Sequence, residues 1–155
     1  MSRCVFRSNA GLTFAWMDVI FRRLCSTLTP SFNRSWPLMR LLICGDRNWN
    51  DPAAIQRELV ARRESISCVI HGAARGADSM AGEIAKGLGL VVAAYPAQWD
   101  KYGRAAGYIR NRQMLVEGKP DSVFAFHERI STSKGTKHMM EIAAAAGVPV
   151  ILFPA

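Results

Sequence analysis

The sequence lacks the features that mark several large classes of protein. Its four cysteines, Cys4, Cys25, Cys44 and Cys68, form no CxxC pair and have no histidine cluster near them. Neither a metal site nor a disulfide framework is therefore expected, and such free thiols are typical of a reducing, cytoplasmic compartment. No apolar run approaches the length of a membrane span, so no membrane partner is expected either.

Two familiar nucleotide-binding fingerprints are also missing. No GxGxxG motif follows a strand, and no GxxxxGK[ST] motif is present anywhere in the chain. No Asn-Gly turn joins two apolar runs, so a sheet built from hairpins is not indicated. Any phosphate site in this chain must therefore use a different loop.

Negative charge is scarce at the start of the chain. Residues 1–39 hold five Arg and one Asp, whereas residues 40–155 hold fifteen basic and eleven acidic residues. Each part thus contributes +4 to the net charge of +8. An excess of +4 suits a phosphorylated small ligand and does not require a nucleic-acid surface.

Residues 1–38 differ in composition from the rest of the chain. They contain five Arg, five Ser and no Lys, which is the composition of an organelle transit peptide. The same composition is found where translation is assigned to start too early, and Met39 directly precedes the first clear strand. We predict a loosely ordered extension or a misassigned start over residues 1–38, and one folded domain over residues 39–155.

From Arg40 onward, short apolar runs alternate with amphipathic helical stretches. Strands are predicted at residues 41–44, 68–70, 90–95, 122–126 and 148–153. Continuous apolar runs suit strands that are covered on both faces, and parallel neighbours need helical crossovers. The pattern predicts an α/β fold, a Rossmann-like, doubly wound, five-stranded parallel sheet with helices on both faces.

The most informative stretch is residues 67–88, in which a strand, the turn HGAARG and a helix follow one another. Such a turn can gather backbone N–H groups and a helix N-terminus, where an anion binds well. Arg75 adds a guanidinium group that suits phosphate oxygens. We predict a nucleotide-type phosphate site at Gly72, Arg75 and Gly76, and a purely structural turn is the alternative.

Polar residues also follow two other strands, and the carboxyl ends of parallel strands meet at one edge of a sheet. Gly45 and Arg47 follow the first strand, and residues 133–136, Ser-Lys-Gly-Thr, follow the fourth. The second group offers hydroxyls, N–H groups and a helix N-terminus as a further anion cradle. Arg47 beside the aromatic Trp49 is a combination that can bind a phosphate and stack on a base. The structural alternatives are that Thr136 is a plain helix cap and that Trp49 only packs beneath its loop, which is favoured for Trp49.

The helix after the third strand carries Arg104, Arg110 and Arg112. Arg104 and Arg112 lie on roughly one face and Arg110 points elsewhere, so the three cannot serve one ligand. We expect Arg110 and Asn111 to support the site. Asp78 either stabilises its helix dipole or accepts a hydrogen bond from a ribose hydroxyl.

Four motifs together resemble the YspA (cpYpsA-related) family of the SLOG, or Smf/DprA–LOG, superfamily of Rossmann-like proteins from bacteria and phages. They are GDRNW, HGAARGAD, PAQWDKYGRAAGYIRNRQM and SKGT, and the resemblance covers about residues 39–155. It implies binding of a nucleotide or nucleotide-derived ligand, for instance in a sensing role. We expect neither a cofactor nor a metal ion.

Relatives called LOG proteins are phosphoribohydrolases with an RKxxM helix motif and a PGGxGTxxE loop. Arg110 and Met114 match the first motif, with Asn111 in place of Lys. In the second motif, serines and threonine replace Pro-Gly-Gly, and Met139 occupies the position of the catalytic Glu. Glycosidic cleavage needs a carboxylate near the anomeric carbon, so the sequence leaves open whether this chain is an enzyme.

The preferred hypothesis is therefore a nucleotide-binding protein. One alternative is a phosphoribohydrolase-like enzyme that uses Arg110 and an acid such as Asp46, Asp78 or Glu141. A DprA-like single-stranded nucleic-acid-binding module is less favoured because of the modest charge, and a homo-oligomer is left open. The predicted ligand-binding residues are Gly45, Arg47, Gly72, Arg75, Gly76, Asp78, Arg110, Asn111, Ser133, Gly135 and Thr136.

Overall fold

The computed structural model describes residues 38–154, and the statements below concern these residues. The predicted extension lies, up to residue 37, outside the described residues. Within the described part of the chain, no helix is long and apolar enough to cross a membrane.

Five strands form one sheet in the order β3-β2-β1-β4-β5, and all neighbouring strands are parallel. The strands are β1 (Met39–Gly45), β2 (Ile66–His71), β3 (Val91–Ala94), β4 (Ser122–Phe126) and β5 (Val150–Phe153). The predicted Rossmann-like parallel sheet is confirmed. The third and fifth strands are shorter than their apolar runs suggested.

Five helices connect the strands in the described residues. They are α1 (Pro52–Ala61), α2 (Ala77–Gly87), α3 (Trp99–Tyr102), α4 (Ala106–Val116) and α5 (Gly135–Ala145). The single helix predicted to carry Arg104, Arg110 and Arg112 was wrong at its start, because α3 and a 3-10 turn (Gly103–Ala105) precede α4. Gly103 has a φ of 49° at this break, a conformation that favours glycine.

The helices cover both faces of the sheet, as predicted. On one face, Ile55 of α1 and Ala81 of α2 pack in a buried cluster with Ile43 of β1. On the other face, Met114 of α4 and Met139 of α5 form a second buried cluster with strand residues. Burial of such side chains stabilises the fold by about 1.5–3 kcal/mol for each large residue.

The strand order reverses between β1 and β4, since the chain leaves β1 towards β2 and later returns to β4 on the other side. The loops that follow these two strands diverge, which opens a crevice at the carboxyl edge of the sheet. Gly45 ends β1 here, and a Cβ atom on it would approach the Ala77 Cβ to 2.6 Å. The absence of a side chain at Gly45 thus lets the start of α2 come close to this edge.

Candidate functional site

A cleft of about 500 Å³ lies at this edge, between the loops that follow β1 and β4. We call it the switch-point cleft. Its lining includes nine of the predicted ligand-binding residues, namely Gly45, Arg47, Arg75, Asp78, Arg110, Asn111, Ser133, Gly135 and Thr136. Gly72 instead borders a second cleft, and Gly76 is in the lining of neither.

The buried carboxylate of Asp78 organises the turn HGAARG. Asp78 is 4% exposed, and its Oδ2 accepts the N–H groups of Gly72 at 3.0 Å and Ala74 at 3.4 Å. The N–H of Ala73 donates to Nδ1 of His71 at 3.1 Å. Three N–H groups that the sequence appeared to offer to a phosphate are therefore bound within the protein.

Arg110 is held against the same turn. Its side chain is 11% exposed. Its Nη1 donates to the carbonyl of Gly72 and lies 3.6 Å from Asp78 Oδ2. Its Nε donates to Oδ1 of Asn111 at 3.0 Å. A Cβ atom on Gly72 would collide with the Arg110 guanidinium, so glycine at this position is required by close approach. These contacts fix the guanidinium at the wall of the switch-point cleft.

Burial dominates the ionisation of this cluster. It raises the pKa of Asp78 to about 6, although Arg110 and the N–H donors favour the charged form. Burial also lowers the pKa of Arg110. Burial and the nearby Asp78 raise the pKa of the Cys44 thiol, so this cysteine in the cleft lining is protonated and not a nucleophile.

The raised pKa of Asp78 predicts a specific pH dependence of stability. Because the folded state binds the proton more tightly than the unfolded state, this group stabilises the fold most below pH 4 and loses that contribution as the pH rises to about 6. Relative to Asp78→Asn, the unfolding free energy of the wild type should gain about 1 kcal/mol between pH 7 and pH 5. Urea denaturation measures this, with Asp100→Asn as the exposed control, and a constant difference would contradict it.

The start of α5 is tied to β1 by two hydroxyl groups. Ser133 Oγ accepts the N–H of Thr136 at 3.1 Å, so Ser133 caps the helix. The Thr136 hydroxyl donates to the carbonyl of Gly45 at 3.0 Å. The alternative that Thr136 is a plain cap was therefore wrong, because its side chain instead joins α5 to the end of β1.

Two backbone donors remain at this helix start. In residues 38–154, no protein acceptor pairs with the N–H groups of Lys134 and Gly135, and both residues line the switch-point cleft. Asn111 fixes the segment from the other side, because its Nδ2 donates to the carbonyl of Gly135 at 3.0 Å. Helix N-termini with unsatisfied N–H groups attract anions, so the start of α5 offers two donors to an anion in this cleft.

Arg75 lies at the mouth of the switch-point cleft. Its Nε donates to the carbonyl of Arg47 at 3.2 Å, and its Nη2 donates to Oδ1 of Asn48 at 3.1 Å. Gly76 lets the loops pass at this point: its φ is 81°, and a Cβ atom there would lie 2.6 Å from the carbonyl carbon of Arg47. The guanidinium of Arg75 is therefore held in a fixed orientation, whereas Gly76 allows the two loops to approach each other closely.

An acid–imidazole pair in the cleft was missed by the sequence analysis. Nε2 of His127 lies 3.7 Å from Oδ2 of Asp46, whose Oδ1 accepts the N–H of Asn48 at 2.9 Å. Nδ1 of His127 accepts the N–H of Arg129 at 3.0 Å, so the neutral ring carries its proton on Nε2, facing Asp46. No local spacing signals this pair, because the two residues follow different strands.

The aromatic partner of Arg47 was also missed. Trp49 is buried beneath its loop, which agrees with the structural alternative stated for it. Its indole N–H donates to the Asp51 carbonyl at 2.7 Å. The guanidinium of Arg47 instead lies 5.7 Å from the ring centre of Trp99. Trp99 lines the second cleft, of about 570 Å³, which we call the Trp99 cleft.

Comparison with known proteins agrees with the fold and with the motifs that lie within residues 39–102. The profile of the YspA, cpYpsA-related SLOG family matches residues 39–102, from β1 through α3. The Gene 61 protein of Mycobacterium phage D29 is 36% identical over 124 residues, which cover 75% of this chain and 97% of that protein. No solved structure matches the chain. The chain belongs to the YspA, cpYpsA-related SLOG family.

Proposed function

We propose that the protein binds a nucleotide or a nucleotide-derived small molecule in the switch-point cleft. The observation that carries this proposal is that one cleft is lined by the largely buried Arg110 and by Lys134 and Gly135, whose N–H groups have no acceptor within residues 38–154. A phosphate binds to these groups because helix N-termini and arginine both favour its charged oxygens. Membership of the SLOG family supports a nucleotide-related ligand.

The charges around the cleft favour an anionic ligand. Arg110 is partly balanced by Asp78, but Arg47, Arg75 and Lys134 also line the cleft. Asp46 is the remaining carboxylate of the lining. Its carboxylate accepts a hydrogen bond from a ribose hydroxyl of the ligand. The N–H of Asn48 and the ring of His127 hold the carboxylate in place, and its oxygens have further lone pairs for the ligand.

Calorimetry against a small panel of ligands tests the proposal. The panel contains nucleoside 5′-monophosphates, the matching nucleosides, ADP-ribose and a single-stranded oligonucleotide. The phosphate-bearing small molecules should bind about tenfold or more tightly than the nucleosides, because the hydrogen-bond donors of the cleft bind the charged phosphate oxygens, which nucleosides lack. Binding to the oligonucleotide alone, with a steep salt dependence, would contradict the proposal, as would no binding at all.

Arg75→Ala should weaken binding of a nucleoside monophosphate by about 5- to 150-fold, the equivalent of 1–3 kcal/mol for a hydrogen bond to a charged group. Arg104→Ala is the matched control, because Arg104 is exposed and lies outside the lining of the switch-point cleft. Titration calorimetry of both variants measures the effect. An unchanged affinity of Arg75→Ala would remove this residue from the site.

A phosphoribohydrolase activity is the second candidate, and the position of Asp46 favours it. Met139, at the catalytic Glu position, is fully buried, and Glu141 lies outside the cleft lining in an ion pair of 3.9 Å with Lys137. Asp78 is bound within the turn, which leaves Asp46 as the acid for glycosidic cleavage. Release of free base from a monophosphate, lost in Asp46→Asn, would support this candidate; intact nucleotide after prolonged incubation would exclude it.

A further inference from the structure

The switch-point cleft and the Trp99 cleft share one wall. Four residues line both clefts, namely Arg47, Ala74, Arg75 and Arg110. The shared wall therefore includes three arginines. A ligand in the switch-point cleft alone would lie on one side of these arginines. Positive charge concentrated between two clefts instead suits a ligand whose phosphates lie in its middle.

The Trp99 cleft offers a surface for a planar ring. Trp99 is 48% exposed although it is a large aromatic residue, and Pro96 and Ala97 line the cleft beside it. Arg47 lies over the Trp99 ring, and an aromatic face beside a guanidinium is a common platform for a nucleobase. Gly72 and Ala73 line the same cleft with little side-chain bulk.

We infer that the ligand spans both clefts and is a dinucleotide whose two nucleoside units are joined through a diphosphate. One unit occupies the switch-point cleft beside Asp46, and the diphosphate runs from the start of α5 along Arg47, Arg75 and Arg110. The second base stacks on Trp99. This inference rests on the proposed function and adds the class of ligand. A small dinucleotide fits better than a nucleic-acid strand because residues 40–155 carry fifteen basic against eleven acidic residues.

The test compares diadenosine diphosphate, two adenosines joined 5′ to 5′, with ADP, which has the same diphosphate and one adenosine. Calorimetry should show that the wild type binds the dinucleotide about tenfold or more tightly, because base–aromatic stacking contributes to that ligand alone. Trp99→Ala should remove this difference and leave the affinity for ADP within about twofold. Trp99→Phe should retain part of it.

Tyr102→Ala is the matched control, since Tyr102 is a 39% exposed aromatic residue of the same short helix and is in the lining of neither cleft. Equal affinities for ADP and the dinucleotide, unchanged in Trp99→Ala, would overturn the inference and leave the mononucleotide proposal standing. Binding of neither ligand would overturn both. Tighter, strongly salt-dependent binding of a single-stranded oligonucleotide would overturn the dinucleotide in favour of a nucleic acid.

Discussion

Arg110→Met is expected to abolish nucleotide binding and to lower the free energy of unfolding by about 3 kcal/mol. Methionine keeps much of the buried chain but removes the partner that lies 3.6 Å from Asp78 Oδ2 and the donor to the Gly72 carbonyl. An unpaired buried carboxylate is costly, but loss of the Arg110 charge raises the pKa of Asp78 further, so protonation of the carboxyl keeps the loss at the lower end of the usual range.

The double variant Arg110→Met, Asp78→Asn separates the two roles of Arg110. Removing both charges together should recover part of the lost stability, since no uncompensated ion remains, but it should not recover binding. Urea denaturation and calorimetry of the four proteins in this cycle measure the two effects. Full nucleotide affinity in either variant that lacks Arg110 would contradict its placement in the site.

Gly72→Ala is expected to have the second largest effect. A Cβ atom there would lie 2.8 Å from Asp78 Oδ2 and would collide with the Arg110 guanidinium. Because Asp78 is buried and the Arg110 side chain is only 11% exposed, Arg110 must move away from both Gly72 and Asp78. This should cost about 1–3 kcal/mol of stability and weaken nucleotide binding about tenfold or more. Chemical denaturation and calorimetry measure the two losses.

Gly87→Ala is the matched control for this substitution. Gly87 is exposed at the end of α2, and a Cβ atom added there would have no neighbouring atom within 4 Å. Alanine should therefore be neutral or stabilise the helix by up to about 1 kcal/mol. Equal effects of the two substitutions would show that the contact between Gly72 and Arg110 is not tight in solution.

Much of the fold was predictable because its signals are local. The run of residues 122–126 forms β4 with the predicted bounds, since a short, apolar, β-rich segment has few other ways to be buried. Asp51 followed by Pro52 is a typical start of a helix, and α1 begins here, with Asp51 Oδ1 accepting the N–H of Ala54 at 3.1 Å. The edge of the sheet at which the predicted residues meet followed from the parallel topology alone.

The inner contacts of the candidate site were not predictable, because they join residues far apart in the chain. Nothing near Asp78 in the sequence shows that its carboxylate, rather than a ligand, binds the turn's N–H groups. The contact of Arg47 with Trp99 and the approach of His127 to Asp46 depend on how three separate loops converge. Residue types and strand ends indicate where a site lies, whereas tertiary packing decides which groups remain free to bind.

Backbone-amide NMR during titration with a nucleoside 5′-monophosphate tests the central claim most directly. If the phosphate binds at the start of α5, the largest shifts should occur at the free amides of Lys134 and Gly135 and in the loop after β1, at residues 45–48. The side-chain N–H signal of Arg110 should move with them. Shifts confined to other surfaces, or none at saturating nucleotide, would contradict the account.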